Sequence, residues 1–399
     1  MPRLADDLRG LARLTADATV GVTGIVEAVH AQASLRRSTQ RSGRRGGISG
    51  LVYRTVRSIA RLSGRAAEAA LVPLGRLARE ARDAPDSGRR DVLVAVLNGV
   101  LGDGLEATAN PLHIPMGLRR GGAALDPDAP DVPDASPDVL VLVHGLCMTD
   151  TQWTTASGHD HGAALERDAG LTAVYLRYNT GRHISTNGRE FAALLGRLVA
   201  GWPVPVRSLT VVGHSMGGLV TRSAIAQSSE DEPWRRALAR IVFLGTPHHG
   251  SPVERAGNRL DRLLLRSRVS APLAGLGHIR SAGITDLRHG FLLDADWHAH
   301  DRFAGRPDPR QPCPLPAGVE TFAVAATTSA TPGSLVDRFV GDGIVPVASA
   351  TGRHRDAAFD LGIAKVHVAA GVHHFGLLGE AVYPILRRWL APPAAAECG

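Results

Sequence analysis

Apolar positions recur at helical spacing along the first part of the chain and gather farther on into short runs of strand length. Leu4, Leu8, Leu11, Thr15, Ala18, Val22, Ile25 and Val29 follow at alternating steps of four and three, which traces one helix face. Val52, Val56, Ile59, Leu62, Ala66 and Ala70 repeat the pattern less cleanly, and residues 36–50 (RRSTQRSGRRGGISG) between them read as a flexible basic linker. Residues 110–119 (NPLHIPMGLR) read as a strand with prolines at its edge, and 121–137 as an acidic, proline-rich loop. Apolar runs at 138–143, 209–212, 241–244 and 320–326 predict buried strands, and 363–368 alternates as another. A helical pattern (Leu219, Val220, Ala224, Ile225) follows the second of these runs, and 375–390 forms another helical run. Between 251 and 318 lie helical pieces and a proline-rich exit (RPDPRQPCPLPAG), an insertion between two strands where a lid would sit.

Charge divides the chain. Lys365 is the single lysine, and 17 of the 44 arginines fall in residues 1–90, against 8 acidic residues there. The net +7 of the 399 residues thus resides in the N-terminal part, and the remainder is close to neutral. Residues 1–107 are read as a basic helical region and 108–399 as the main domain. The apolar stripe of residues 1–90 either packs on that domain or on a second subunit, as in a homo-oligomer, or lies peripherally on an anionic membrane surface. Covered packing is the expectation, because a long exposed apolar stripe is unfavourable in water. Nucleic acid is not an expected partner, since Tyr53 is the one aromatic residue in 1–90 and no base-reading motif occurs.

Asp6 and Asp7 stand where a secretory leader would be basic, and no apolar core follows them. The longest apolar run, 92–101, is too short to span a bilayer. Cys147, Cys313 and Cys398 are odd in number and widely spaced, which argues against a disulfide framework. A cytoplasmic protein is therefore expected, with peripheral membrane association as its variant.

The chemistry centres on Gly213-His214-Ser215-Met216-Gly217. A strand leads into this pentapeptide and a helix leaves it, the setting in which G-x-S-x-G forms a sharp nucleophile elbow. Small residues at 213 and 217 let strand and helix approach closely. A serine hydroxyl alone is a weak nucleophile, so a base, an orienting carboxylate and oxyanion donors must lie elsewhere in the chain. Asp342 in Gly341-Asp342-Gly343 follows the 320–326 run, and His373 and His374 follow the last strand, giving the order serine, acid, histidine. Spacing alone does not separate the two adjacent histidines.

The motifs His144-Gly145-Leu146, GHSMGG at 213–218, GTPHHGS at 245–251, GDGIVP at 341–346 and HHFGLL at 373–378 occur in the order found in bacterial lipases and esterases. Together they resemble the α/β-hydrolase superfamily over residues 138–390. The GTPHHGS loop is also similar to that of glycosylphosphatidylinositol inositol-deacylase-like proteins. The resemblance implies a mostly parallel sheet flanked by helices, with a lid insertion at 251–318 and an N-terminal helical extension. It implies Ser215 as nucleophile, Asp342 as acid and His374 as base, because H-F-G-L-L is similar to the H-x-G-L-L of small bacterial lipases. It also implies the backbone N–H groups of Leu146 and Met216 as the oxyanion hole, while His248 and His249 would shape the rim of the site.

The expected activity is hydrolysis of a lipid or other hydrophobic carboxylic ester through an acyl-enzyme, with no cofactor. An acyltransferase would use the same residues, and a non-catalytic scaffold on this fold is the reading from another class. Asp294, Asp296, His298, His300 and Asp301 do not share a helix face and read as a solvated polar loop rather than a metal site. Cys147 reads as a packed thiol.

Overall fold

The computed structural model describes residues 87–251, 280–298, 301–302, 308–330 and 341–391. The stripe from Leu4 to Val29 in the basic segment 1–90 therefore lies outside the described residues, as do Cys398 and much of the 251–318 insertion. By Cα packing the chain falls into two units. One contains, among the described residues, 87–94, 104–113 and 280. There the turn at Asn110 closes on itself: its side-chain oxygen accepts the Leu112 N–H at 3.0 Å and its carbonyl the His113 N–H at 2.9 Å.

The second unit holds the sheet. Its strands are β1 (Gly117–Arg120), β2 (Ala123–Leu125), β3 (Asp138–Val143), β4 (Thr172–Arg177), β5 (Ser208–His214), β6 (Leu238–Leu244), β7 (Glu320–Thr327) and β8 (Lys365–Ala370). They lie in the order β2-β1-β4-β3-β5-β6-β7-β8. The β1–β2 and β1–β4 pairs are antiparallel, and every pair from β4 to β8 is parallel. Parallel strands need crossover connections, and helices lie within them. In chain order the helices are α1 (Ser87–Ala107), which precedes the sheet, then α2 (His161–Ala169), α3 (Ile184–Gly201), α4 (Met216–Ala226), α5 (Pro233–Ala237), α6 (Ala282–Asp286) and α7 (Val347–Ala350) between strands, and α8 (Tyr383–Leu390) after the last strand.

Side chains alternate across a strand, so one apolar run feeds two cores. Val139, Val141 and Val143 pack with Leu198 of α3 and Leu219 and Val220 of α4. Leu140 and Leu142 pack with Leu165 of α2 and Leu386 and Leu390 of α8. Each helix pair covers one face, which is why these strands read as continuous apolar runs rather than as alternation.

The strand expected over 110–119 is shorter than its pattern, since β1 begins only at Gly117. Pro111 and Pro115 cannot donate to a ladder, and the Asn110 turn takes up the backbone before them.

The close approach at the elbow sets a stability prediction. A Cβ on Gly217 would lie 2.7 Å from the His144 carbonyl oxygen and still nearer that of Val143, both backbone atoms at the end of β3. Gly217→Ala is expected to cost about 1–3 kcal/mol or more, as overpacked cores do. Thermal melting should show a fall of several degrees, and an unchanged melting temperature would contradict this packing.

Candidate active site

The loops that leave the C-terminal ends of β3, β5, β6, β7 and β8 carry the candidate residues, the edge at which open parallel sheets bind ligands. Ser215 follows β5 directly, with φ 52° and ψ −122°. Among the described residues, Ala109, Cys147 and Ser215 are the non-glycine positions with positive φ. That strain is held from both sides: the Ser215 N–H donates to the Leu244 carbonyl at 2.8 Å, and the Ser215 carbonyl accepts the Gly218 N–H at 3.1 Å.

Asp342 lies in a tight turn after β7. Gly341 and Gly343 on either side take φ of 57° and 98°, conformations that side-chain-bearing residues seldom adopt. One carboxylate oxygen accepts the Ile344 and Val345 N–H groups at 2.9 and 2.8 Å. The other meets Nδ1 of His374 at 2.6 Å. The Asp342 carbonyl also accepts the His374 N–H at 3.2 Å, so backbone and side chain together tie the acid to the histidine. Both residues are buried.

The two histidines open by sequence separate here. His374 is buried and bonded to Asp342, whereas His373 is exposed and spends its Nδ1 accepting the Gly376 N–H at 3.1 Å. Helix capping, not chemistry, occupies His373.

Ser215 and His374 flank Gly245. The carbonyl of Leu244 takes the serine N–H, and a Cβ on Gly245 would stand 3.1 Å from Cε1 of His374. The ring of His214, the residue before the serine, lies 4.9 Å from that of His374. A Cβ on Gly145 would lie 3.0 Å from Cβ of Ser215, so the Gly145–Leu146 peptide runs past the serine. Met216 is the first residue of α4, and its N–H has no acceptor within the helix. Leu146 and Met216 thus stand beside Ser215 from opposite chain segments.

His144 builds the loop rather than facing it. Its Nδ1 lies 3.0 Å from the Gly145 carbonyl, so that nitrogen carries the proton and donates. Its ring stacks on Tyr178 at 4.5 Å, and the Tyr178 hydroxyl donates to the His144 carbonyl at 2.8 Å. Cys147, next in the loop, has its thiol pushed up to about 11 by burial, which suppresses the thiolate.

His248 and His249 are both buried. His248 meets the edge of Phe243 at 4.6 Å and accepts from the Arg222 guanidinium at 3.3 Å. A cavity of about 20 Å³ is lined by Arg222, His248, Asp296, Arg310 and Cys313 among others, and none of Ser215, Asp342 and His374 lines it. In the insertion, Asp294 accepts from Ser185 at 2.6 Å and Asp296 accepts the Leu292 and Leu293 N–H groups at 2.8 and 3.0 Å. His300 lies outside the described residues.

Burial leaves several histidines neutral, with a measurable consequence. His144 and His161 are lowered to about 4 by desolvation, and His214 and His248 lie well below the ordinary 6.5. In the unfolded chain they take up protons near pH 6.5, before the folded state does. Their stabilisation is therefore complete above that pH and is lost as pH falls from about 6.5 towards 4. Each contributes a slope of about 1.4 kcal/mol per pH unit within that window. Denaturant midpoints measured from pH 7.5 to 5 should fall steeply below 6.5, and a flat profile would mean that these side chains are protonated in the fold.

Residues 135–327 match the family model of the PGAP1-like alpha/beta domain. The match covers just under half of the chain and includes the elbow after β5. The chain has the α/β-hydrolase fold. Among solved structures, this chain is similar to the mature lipase BlEst2 of Bacillus licheniformis, at 20% identity and a TM-score of 0.42, over 69% of this chain and 98% of that one. It is similar to a lipase-esterase related protein of Clostridium acetobutylicum at 12% identity and a TM-score of 0.35, over 64% and 95%. A third similar structure is phospholipase PlaB of Legionella pneumophila, at 16% identity and a TM-score of 0.34, over 53% of this chain and 45% of that one. No curated protein matches the chain. Among the described residues, no helix is long and apolar enough to cross a membrane.

Proposed function

We propose that this α/β-hydrolase is a serine esterase that cleaves a lipid or other hydrophobic carboxylic ester. The observation that carries the reading is the 2.6 Å bond from His374 to a buried carboxylate, beside a serine held at positive φ on the elbow. In this reading Ser215 Oγ attacks the acyl carbonyl while Nε2 of His374 takes the hydroxyl proton. Asp342 accepts the Nδ1–H, which fixes the tautomer and stabilises the imidazolium. The Leu146 and Met216 N–H groups receive the oxyanion. As the intermediate collapses, His374 returns the proton to the leaving alcohol and an acyl-serine remains. Water, deprotonated by the same histidine, then releases the acid and restores Ser215.

The division into a basic N-terminal region, residues 1–107, and a catalytic domain, residues 108–399, belongs to the same proposal. A series of p-nitrophenyl esters of rising chain length tests the substrate class. Turnover is expected to rise from acetate towards medium or long acyl chains. Preference for acetate alone would overturn the hydrophobic-ester reading. Transfer of the acyl group to an added alcohol in place of hydrolysis would make the protein an acyltransferase.

A further inference from the structure

His374 opens a short 3-10 turn, His374–Leu378, whose orientation decides where its imidazole stands. Such a turn leaves carbonyls at its C-terminal end without partners of its own. The Leu377 carbonyl finds one at long range: Nε2 of His161 lies 3.0 Å away. We propose that His161, with His159 behind it, is a positioning residue that sets the catalytic turn through the Leu377 carbonyl. This rests on the reading of His374 as the base.

Three observations carry the assignment. The first is rigidity at the origin of the bond. His161 is the first residue of α2, and Asp160, the cap of that helix, accepts the Gly162 and Ala163 N–H groups at 2.8 and 3.1 Å and the Tyr175 hydroxyl at 2.6 Å. The His161 ring is buried, edge-on to Trp153 at 6.4 Å and stacked on Tyr383 at 6.1 Å. A donor fixed in this way transmits its position to whatever accepts from it.

The second is the proton order, which the acceptor dictates. A carbonyl oxygen only accepts, so Nε2 of His161 carries a proton. Nδ1 of His161 lies 2.8 Å from Nε2 of His159. In the neutral ring Nδ1 must accept, and His159 must donate. Burial keeps His161 neutral at ordinary pH, so the chain runs in one direction, from His159 through His161 to Leu377. His159 thereby selects the tautomer that can hold the turn.

The third is a second grip on the same turn. His214, beside Ser215, has its Nε2 3.4 Å from the His374 carbonyl. Trp153 stands edge-on to His214 at 6.4 Å, the same separation as from His161. One indole thus spaces the two histidines that hold the first and fourth carbonyls of the turn, and ties the turn to both α2 and β5. Losing the Leu377 contact frees the far end, and a misplacement of about 1 Å at a reacting group can cost roughly a hundredfold in rate.

Two substitutions separate positioning from bulk packing in the full-length protein. His161→Phe keeps a planar ring and removes both nitrogens, whereas His161→Gln offers an amide N–H near the place of Nε2. With a short-chain p-nitrophenyl ester, His161→Phe is expected to lower kcat by roughly ten- to a hundredfold with KM within about twofold. His161→Gln should recover most of kcat, and His159→Phe should give a smaller loss than His161→Phe. Equal losses for Phe and Gln, or kcat unchanged in His161→Phe, would overturn the proposal. If His161→Phe does not fold, His161→Gln and His159→Phe carry the same comparison against the parent. His374→Ala, measured alongside, keeps the two readings apart: its full activity would remove His374 as base, whereas its inactivity beside an undiminished His161→Phe would remove only the positioning role.

Discussion

Ser215→Ala is expected to remove ester turnover almost entirely, by about 10⁴- to 10⁶-fold, with the fold retained. Removing a triad nucleophile costs that much because base and carboxylate act only through it. What survives is the modest rate enhancement of oxyanion donors and binding. Alanine keeps the Cβ, and the bonds that hold residue 215 come from its backbone N–H and carbonyl. The melting temperature should therefore change by no more than a few degrees. Turnover within tenfold of the parent in a preparation free of contaminating esterase would take Ser215 out of the nucleophile's role.

Asp342→Asn is the second large effect, and its direction follows from which atom meets which. One oxygen of Asp342 accepts two backbone N–H groups, and an asparagine oxygen can keep both bonds. The amide nitrogen then stands where the other oxygen meets Nδ1 of His374. Two donors cannot face each other, so the imidazole must place its proton on Nε2. That nitrogen then cannot accept the serine proton. A fall in kcat of about 10⁴-fold is expected, with KM little changed and the turn intact. A loss below tenfold would mean that Asp342 only shapes its turn.

Much of this was legible in the pattern because parallel strands covered on both faces must be apolar throughout. The runs at 138–143, 241–244 and 320–326 became β3, β6 and β7 with small changes at their ends. Other parts gave weaker signals. Strand β4 (TAVYLR) is interrupted by Tyr175, which reaches Asp160, and by Arg177, which pairs with Asp150. Helix α3 has no motif to mark it, although Phe191, Leu194, Leu195 and Leu198 keep helical spacing and are buried. Sequence order could narrow the base to two neighbouring histidines but not choose between them, because the choice depends on which ring the turn directs inward. His159 and His161 are hidden in the sequence for a similar reason. The Leu377 carbonyl they serve is 216 residues away from His161, and a backbone acceptor has no sequence signature.

The most direct test is to react the full-length protein with a fluorophosphonate and map the adduct by peptide mass spectrometry. A single adduct on Ser215, absent from Ser215→Ala and strongly slowed in His374→Ala, is the expected result. Ester turnover with no adduct on Ser215, or labelling of another residue at the same rate, would contradict the assignment of the nucleophile.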